Sequence, residues 1–129
     1  MEFVSLVCCV VKNDSRFLIV QRSENERRAG LWEFPLGRVE KNESLLGAAK
    51  RELEEETGIK PTSISFRGVN KRVEGETYKL IFGFLVEPAS VNVRLSEEHQ
   101  DYKWVTAKEI VKTKNIGTDT RFFIKLVRN

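Results

Sequence analysis

The run Arg51-Glu52-Leu53-Glu54-Glu55-Glu56-Thr57-Gly58 constrains this chain more than any other stretch. It closes a segment from Ser44 to Glu56 whose apolar spacing predicts a long helix, with Gly58 and Pro61 supplying the stop. At about 100° per residue, Glu52, Glu55 and Glu56 fall within roughly one 100° arc, while Glu54 points to the far side. The same arc holds Leu45, Ala48 and Ala49, with Leu46 and Leu53 just beyond it. Three carboxylates are therefore expected on the packed side of the helix, where a solvated acidic face would put them opposite. The arrangement is unfavourable on its own. Glu52 and Glu56 are a like-charge i,i+4 pair, costing about 0.2–0.5 kcal/mol. Anions in the last turns also oppose the helix dipole, by about 0.3–1 kcal/mol each. A divalent cation removes both penalties, because clustered oxygens are what Mg2+ or Mn2+ coordinate.

The rest of the chain supplies mostly strands. Phe3 to Val11 is a short apolar run that reads as a buried strand, and Arg16 to Gln21 returns after the Asn13-Asp14 turn. A polar loop, Ser23 to Gly30, leads to the aromatic segment Leu31-Trp32-Glu33-Phe34-Pro35. Ser63 to Val73 and Thr77 to Val86 are expected to form a hairpin through Glu74-Gly75-Glu76. Tyr102 to Val105 is a short strand, Thr106 caps a helical turn to about Lys112, and Asp119 to Val127 has helical apolar spacing. Helices separated by strands predict an α+β or mixed α/β sandwich, and the length predicts a single domain over 1–129.

Composition excludes several classes. A net charge of +3, from 22 basic residues interleaved with 19 acidic ones, does not by itself imply a nucleic-acid partner. The apolar N-terminal run is too short to span a membrane and lacks the flanks of a signal peptide. The adjacent Cys8 and Cys9 would point to opposite faces of a strand, which predicts one core and one surface thiol in a reducing, cytoplasmic setting. They form neither a disulfide framework nor a metal knuckle.

Gly37, five residues, Glu43, seven residues, then Arg51-Glu52-Leu53-Glu54-Glu55-Glu56-Thr57-Gly58-Ile59 resembles the Nudix box at every defined position. The flanks are similar as well. Gln21-Arg22 ends a strand, Leu31 to Pro35 resembles the antimutator nucleotide pyrophosphohydrolases, and Glu97 to Val105 resembles a later segment that supplies one more acid. The resemblance implies an α/β/α sandwich of mixed sheet with a loop-helix-loop site. It also implies hydrolysis of a nucleoside diphosphate linked to another moiety. On it, Glu52, Glu55, Glu56 and Glu98 are expected to bind Mg2+ or Mn2+, with the Leu36 carbonyl as a backbone ligand. Glu43 and Arg51 are expected to orient the site. Leu36 and Asn42 stand where glycine is frequent, so a positive φ at Leu36 would be strained, while Asn tolerates one better.

The chemistry expected is attack on phosphorus by a metal-activated water, with Glu52, Glu55 and Glu98 all able to serve as general base. No Walker-type phosphate loop is present. Arg22, at a strand end, is the side-chain candidate for phosphate. Trp32, Phe34 and Tyr78 have ring area to stack a base, though rings on strands more often serve the core. His99, the only histidine, reads as structural. Arg27-Arg28 and Lys71-Arg72 read as solvated loop charge. The expected substrate is a nucleoside triphosphate cleaved to monophosphate and pyrophosphate. Nucleotide sugars, dinucleoside polyphosphates and RNA 5′ ends are the alternatives, beside a catalytically silent ligand-sensing domain. Neither a membrane nor any other nucleic acid is expected as a partner, and a homodimer is compatible with the sequence.

Overall fold

The predicted first strand is the axis of the fold. In the computed structural model, which describes residues 1–127, it runs as β1 (Glu2–Asn13). Only the last two positions of the expected 1–129 domain lie outside the described residues. The hairpin of β5 (Pro61–Glu74) and β6 (Thr77–Pro88) turns at Gly75, whose φ of 59° suits glycine. β6 then lies parallel to β1 from Glu2↔Thr77 to Val11↔Val86.

Two partners share the other edge of β1. β4 (Leu36–Arg38) pairs antiparallel with Leu6 to Cys8, and β2 (Arg16–Arg22) pairs only with Lys12 and Asn13. β2 diverges from there, carrying β3 (Trp32–Glu33) on one edge and β7 (His99–Thr106) on the other. The sheet thus opens beside Leu6 and Cys8, and both residues line the cleft formed there.

Helices cover both faces. α1 (Leu45–Thr57) lies over Val7, Cys9, Val11, Leu18, Val20, Phe84 and Val86, against which it packs Ala48, Ala49 and Leu53. α2 (Ala107–Lys112) and α3 (Thr118–Val127) cover the opposite face, where Val4, Leu6, Cys8 and Val10 meet Ile110, Phe123 and Ile124. The strand alternation explains why β1 is apolar without interruption from Leu6 to Val11: both of its faces are core there. Phe123 comes so close to the sheet that a Cβ at Gly83 would lie 2.3 Å from its ring. This is the α/β/α sandwich of mixed sheet expected above.

Several boundaries moved. Cys8 and Cys9 do lie on opposite faces, yet both are 1% exposed, so the expected surface thiol is absent. Burial pushes both thiols up, and the Cys9 thiol donates to the Ala49 carbonyl at 3.4 Å. β3 and β4, at two and three residues, are too short for any periodicity to announce. β7 begins at His99, three residues before the predicted strand. No helix among the described residues is long and apolar enough to cross a membrane.

Candidate active site

α1 is capped where the sequence placed its ends. The Ser44 hydroxyl accepts from the Gly47 N–H, and Gly58 closes the helix at φ 73°. Asn42 takes a left-handed φ of 65°, as asparagine can, and Leu36 has no positive φ, so the feared strain is not there. The last turn holds no basic residue. Its carboxylates are instead managed by one side chain from the turn before.

Arg51 is that side chain. Its Nε and Nη2 donate to the two oxygens of Glu43 at 2.6 and 2.9 Å, and Nη2 also donates to the Arg38 carbonyl at 2.9 Å. Nη1 reaches Glu52 at 3.0 Å and Glu55 at 3.1 Å. The guanidinium therefore ties the loop before α1 to two acids of its last turns. This bidentate bond, with the Glu40 N–H, holds the Glu43 carboxyl down to about 2, and the same carboxylate raises Arg51 above its ordinary value.

Glu56 stands in contrast. Its side chain is 3% exposed, and neither of its oxygens has a hydrogen-bond partner among the described residues. Burial first, then the neighbouring Glu52, Glu33 and Glu98, push its carboxyl well above the usual range. Glu33, also buried, forms an ion pair with Arg22, whose Nε lies 3.0 Å from its Oε2, and that oxygen lies 3.1 Å from His99 Nε2. Glu98 hangs from a loop tied to β2 and α1: its carbonyl accepts from the Ser23 N–H, and the Ser96 N–H donates to the Glu56 carbonyl.

One cleft gathers Arg22, Glu33, Leu36, Gly37, Glu52 and Glu98. Gly37 leaves room for Glu52 there, because a Cβ would lie 2.0 Å from its carboxyl carbon and displace the carboxylate. The far wall carries Arg27, Arg28, Arg72, Lys79 and Asp119. Asp119, on α3, accepts from Asn70 at 3.1 Å and twice from Arg72, at 3.0 and 2.8 Å. Arg72 also pairs with Glu74, to which Lys79 donates at 3.0 Å. Burial and the nearby arginines lower the Lys79 ammonium below its ordinary value.

The structure corrects several expectations. Glu54 is exposed as predicted, and Glu52 and Glu56 face inward, but Glu55 sits at the rim with its side chain 54% exposed. Phe34 borders the cleft but is 1% exposed and packs on Phe17, so its ring serves the core first. Trp32 is also core, and Lys103 lies over its ring, 4.5 Å from the centroid. Tyr78 packs at a tilt against Phe3 and is not part of the cleft lining. Arg72, expected to be solvated loop charge, lies in β5 with its side chain 16% exposed. Sequence reasoning missed Asp119, whose partners Asn70 and Arg72 are remote in the chain, and Lys79, which meets Glu74 across the hairpin turn.

A divalent cation fits these residues on three observations. Glu56 is a buried carboxylate with two unmatched oxygens beside Glu52, which is unfavourable unless a cation answers it. Cys9 donates to Pro35 and Val39 to Ser5, so the ladder uses the odd positions of β4 and its flanks. By that alternation the Leu36 carbonyl faces the open edge of β4, free to act as a ligand. Finally, all the candidate donors are oxygens, the set that hard divalent ions take. Among the described residues no three acidic, histidine or cysteine side chains yet converge on one point, so Glu52 and Glu55 must turn from Arg51 to complete such a set.

An acidic helix beside a cleft that also carries arginine and lysine suits diphosphate chemistry, and comparison with known proteins identifies the class. The NUDIX domain model matches residues 2–126, and the chain belongs to the Nudix hydrolase family. It is 32% identical over 113 residues to the CTP pyrophosphohydrolase of Escherichia coli (strain K12), covering 87% of this chain and 82% of that one. It is 31% identical over 113 residues to Phosphatase NudJ of Shigella boydii serotype 4, covering 85% of this chain and 72% of the relative. The crystal structure of a MutT protein from Methanosarcina mazei Go1 superimposes with a TM-score of 0.86 at 31% identity, covering 96% of this chain and 91% of that one. The protein is thus a pyrophosphohydrolase acting on nucleoside diphosphate derivatives, in a family that generally needs divalent metals.

Proposed function

We propose that this enzyme hydrolyses a nucleoside triphosphate to monophosphate and pyrophosphate, with Mg2+ or Mn2+ held by Glu52, Glu56, the Leu36 carbonyl and Glu55 or Glu98. The observation that carries this reading is the cleft that joins Glu52 of α1, beside the buried Glu56, to a cationic far wall. A divalent ion bound there supplies Lewis acidity and neutralises diphosphate charge. Arg22, anchored by Glu33 at the cleft, binds a phosphate oxygen. Water adds to phosphorus, the bridging P–O bond breaks, pyrophosphate leaves, and a carboxylate takes the proton of the water. Glu52 and Glu98 line the cleft and are the acceptors favoured over the rim residue Glu55.

The far end suits a base with an exocyclic amino group. Asp119 uses three of its roughly four acceptor positions on Asn70 and Arg72, which leaves one on Oδ2 for an amino donor. Arg72 stands beside it as a donor for a carbonyl or ring nitrogen. Adenine and cytosine both present that donor–acceptor pair, and cytosine is the one in keeping with the CTP pyrophosphohydrolase relative. A reducing, cytoplasmic setting suits the free buried thiols of Cys8 and Cys9.

The test is a turnover screen of triphosphates, nucleotide sugars, dinucleoside polyphosphates and 5′-triphosphorylated RNA with Mg2+. Cytidine triphosphates are expected to give the highest kcat/KM, and Asp119→Asn to narrow the preference for cytosine over uracil. Faster turnover of nucleotide sugars, dinucleoside polyphosphates or RNA ends would overturn the substrate while leaving the family. No turnover of any diphosphate with metal would favour the silent sensor.

A further inference from the structure

His99 is held in the site by an irregularity of the sheet. β2 and β7 pair regularly from Arg16↔Thr106 to Gln21↔Asp101, and then Arg22 pairs with His99, skipping Gln100. Without that bulge the alternation of β7 would turn His99 to the face opposite Tyr102 and Trp104. With it, His99 sits on the same side as Arg22, where its side chain is 3% exposed. Its two ring nitrogens meet two different acids. Nε2 lies 3.1 Å from Glu33 Oε2, the oxygen that also pairs with Arg22. Nδ1 lies 3.9 Å from Glu56 Oε1 and has no hydrogen-bond partner among the described residues, and both Glu56 oxygens are likewise unmatched.

We infer that His99 is a positioning residue for the metal site: its Nδ1 holds Glu56 Oε1, so that Glu56 presents Oε2 to the cation. This rests on the metal reading above. The gap of 3.9 Å is longer than a hydrogen bond. A small turn of the Glu56 carboxyl closes it, and one hydrogen between the two atoms satisfies both of them at once. A carboxylate fixed at one oxygen has a defined direction for the other, which is what a ligand needs. The chain Arg22–Glu33–His99–Glu56 then also sets the phosphate-binding arginine in register with the metal helix.

Two variants separate the ends of the ring. In His99→Gln the amide falls near the Nε2 position and keeps Glu33, whereas in His99→Asn it falls near Nδ1 and keeps Glu56. Mn2+ affinity, read from the electron paramagnetic resonance of the free ion, is expected to fall about 10-fold or more in His99→Gln and to stay within a few-fold of wild type in His99→Asn. A purely structural histidine gives no such asymmetry. The wild-type protein supplies an independent reading, because its only histidine gives unambiguous ring 15N resonances. Saturating Mg2+ is expected to shift Nδ1 more than Nε2. Equal Mn2+ affinities in all three proteins, or an Nδ1 signal unmoved by bound Mg2+, would overturn the inference alone. A wild-type protein that binds neither ion would overturn the metal reading and this inference with it.

Discussion

Glu56→Gln is expected to lower metal-dependent turnover by on the order of 10³-fold while raising the melting temperature of the metal-free protein. The two effects have one cause. Folding buries a carboxylate with no hydrogen-bond partner next to Glu52, an arrangement that serves a cation and costs stability without one. Glutamine keeps the shape and removes the charge. A gain of about 1 kcal/mol corresponds to roughly 3–5 °C in a protein of this size. The pH dependence follows from the direction of the shift. Because the folded protein holds the Glu56 proton more tightly than the unfolded chain, stability without metal falls as pH rises above the ordinary glutamate range of about 4.3 and on through the raised value. Glu56→Gln is expected to flatten that fall, and saturating Mg2+ to oppose it in the wild type. Glu54→Gln, on the exposed side of the same turn, should leave turnover within a few-fold. Melting curves between pH 5 and 9, with and without metal, check the set. A Glu56→Gln protein that is less stable than wild type at pH 8 without metal would contradict it.

Arg51→Lys carries the second large effect, a loss of about 10- to 100-fold in kcat/KM despite the conserved charge. The guanidinium serves Glu43 with two parallel bonds, reaches the Arg38 carbonyl, and still offers Nη1 to Glu52 and Glu55. An ammonium is a single point and cannot span those partners. Glu43 then loses the bond that holds it down to about 2, and Glu52 and Glu55 lose their common anchor. The variant should therefore need more metal for half-maximal rate, because the β4 end and loop that Arg51 ties through the Arg38 carbonyl and Glu43 no longer hold the Leu36 carbonyl in place. Steady-state kinetics across a Mg2+ titration measure this. An unchanged metal requirement would show that Arg51 acts on the fold alone.

How far the sequence spoke differs from element to element. α1 was legible because its period, Ser44 and Gly58 all agree, and because its acids fall where apolar packing should be. The hairpin and β1 were legible from turn chemistry and apolar runs. That both Cys8 and Cys9 are buried was not legible, because one alternating strand cannot reveal that a second helix layer covers its other face. Trp32 and Phe34 have the ring area to stack a base, but strand alternation puts both into the core and turns Glu33 between them toward Arg22 and His99. The Asp119–Arg72 contact joins residues 47 apart, and the bulge beside His99 is a matter of strand register. Neither leaves a local signature, so the cleft's far end and the histidine link could only be read from the fold.

The central claim is that the inner acids of α1 hold a divalent cation beside Leu36. Anomalous diffraction from crystals containing Mn2+ tests it most directly. The expected result is a peak within about 2.0–2.3 Å of Glu56 and Glu52 carboxylate oxygens and the Leu36 carbonyl. A map at saturating Mn2+ with no peak there, or with the ion bound at the exposed rim by Glu54, would contradict it.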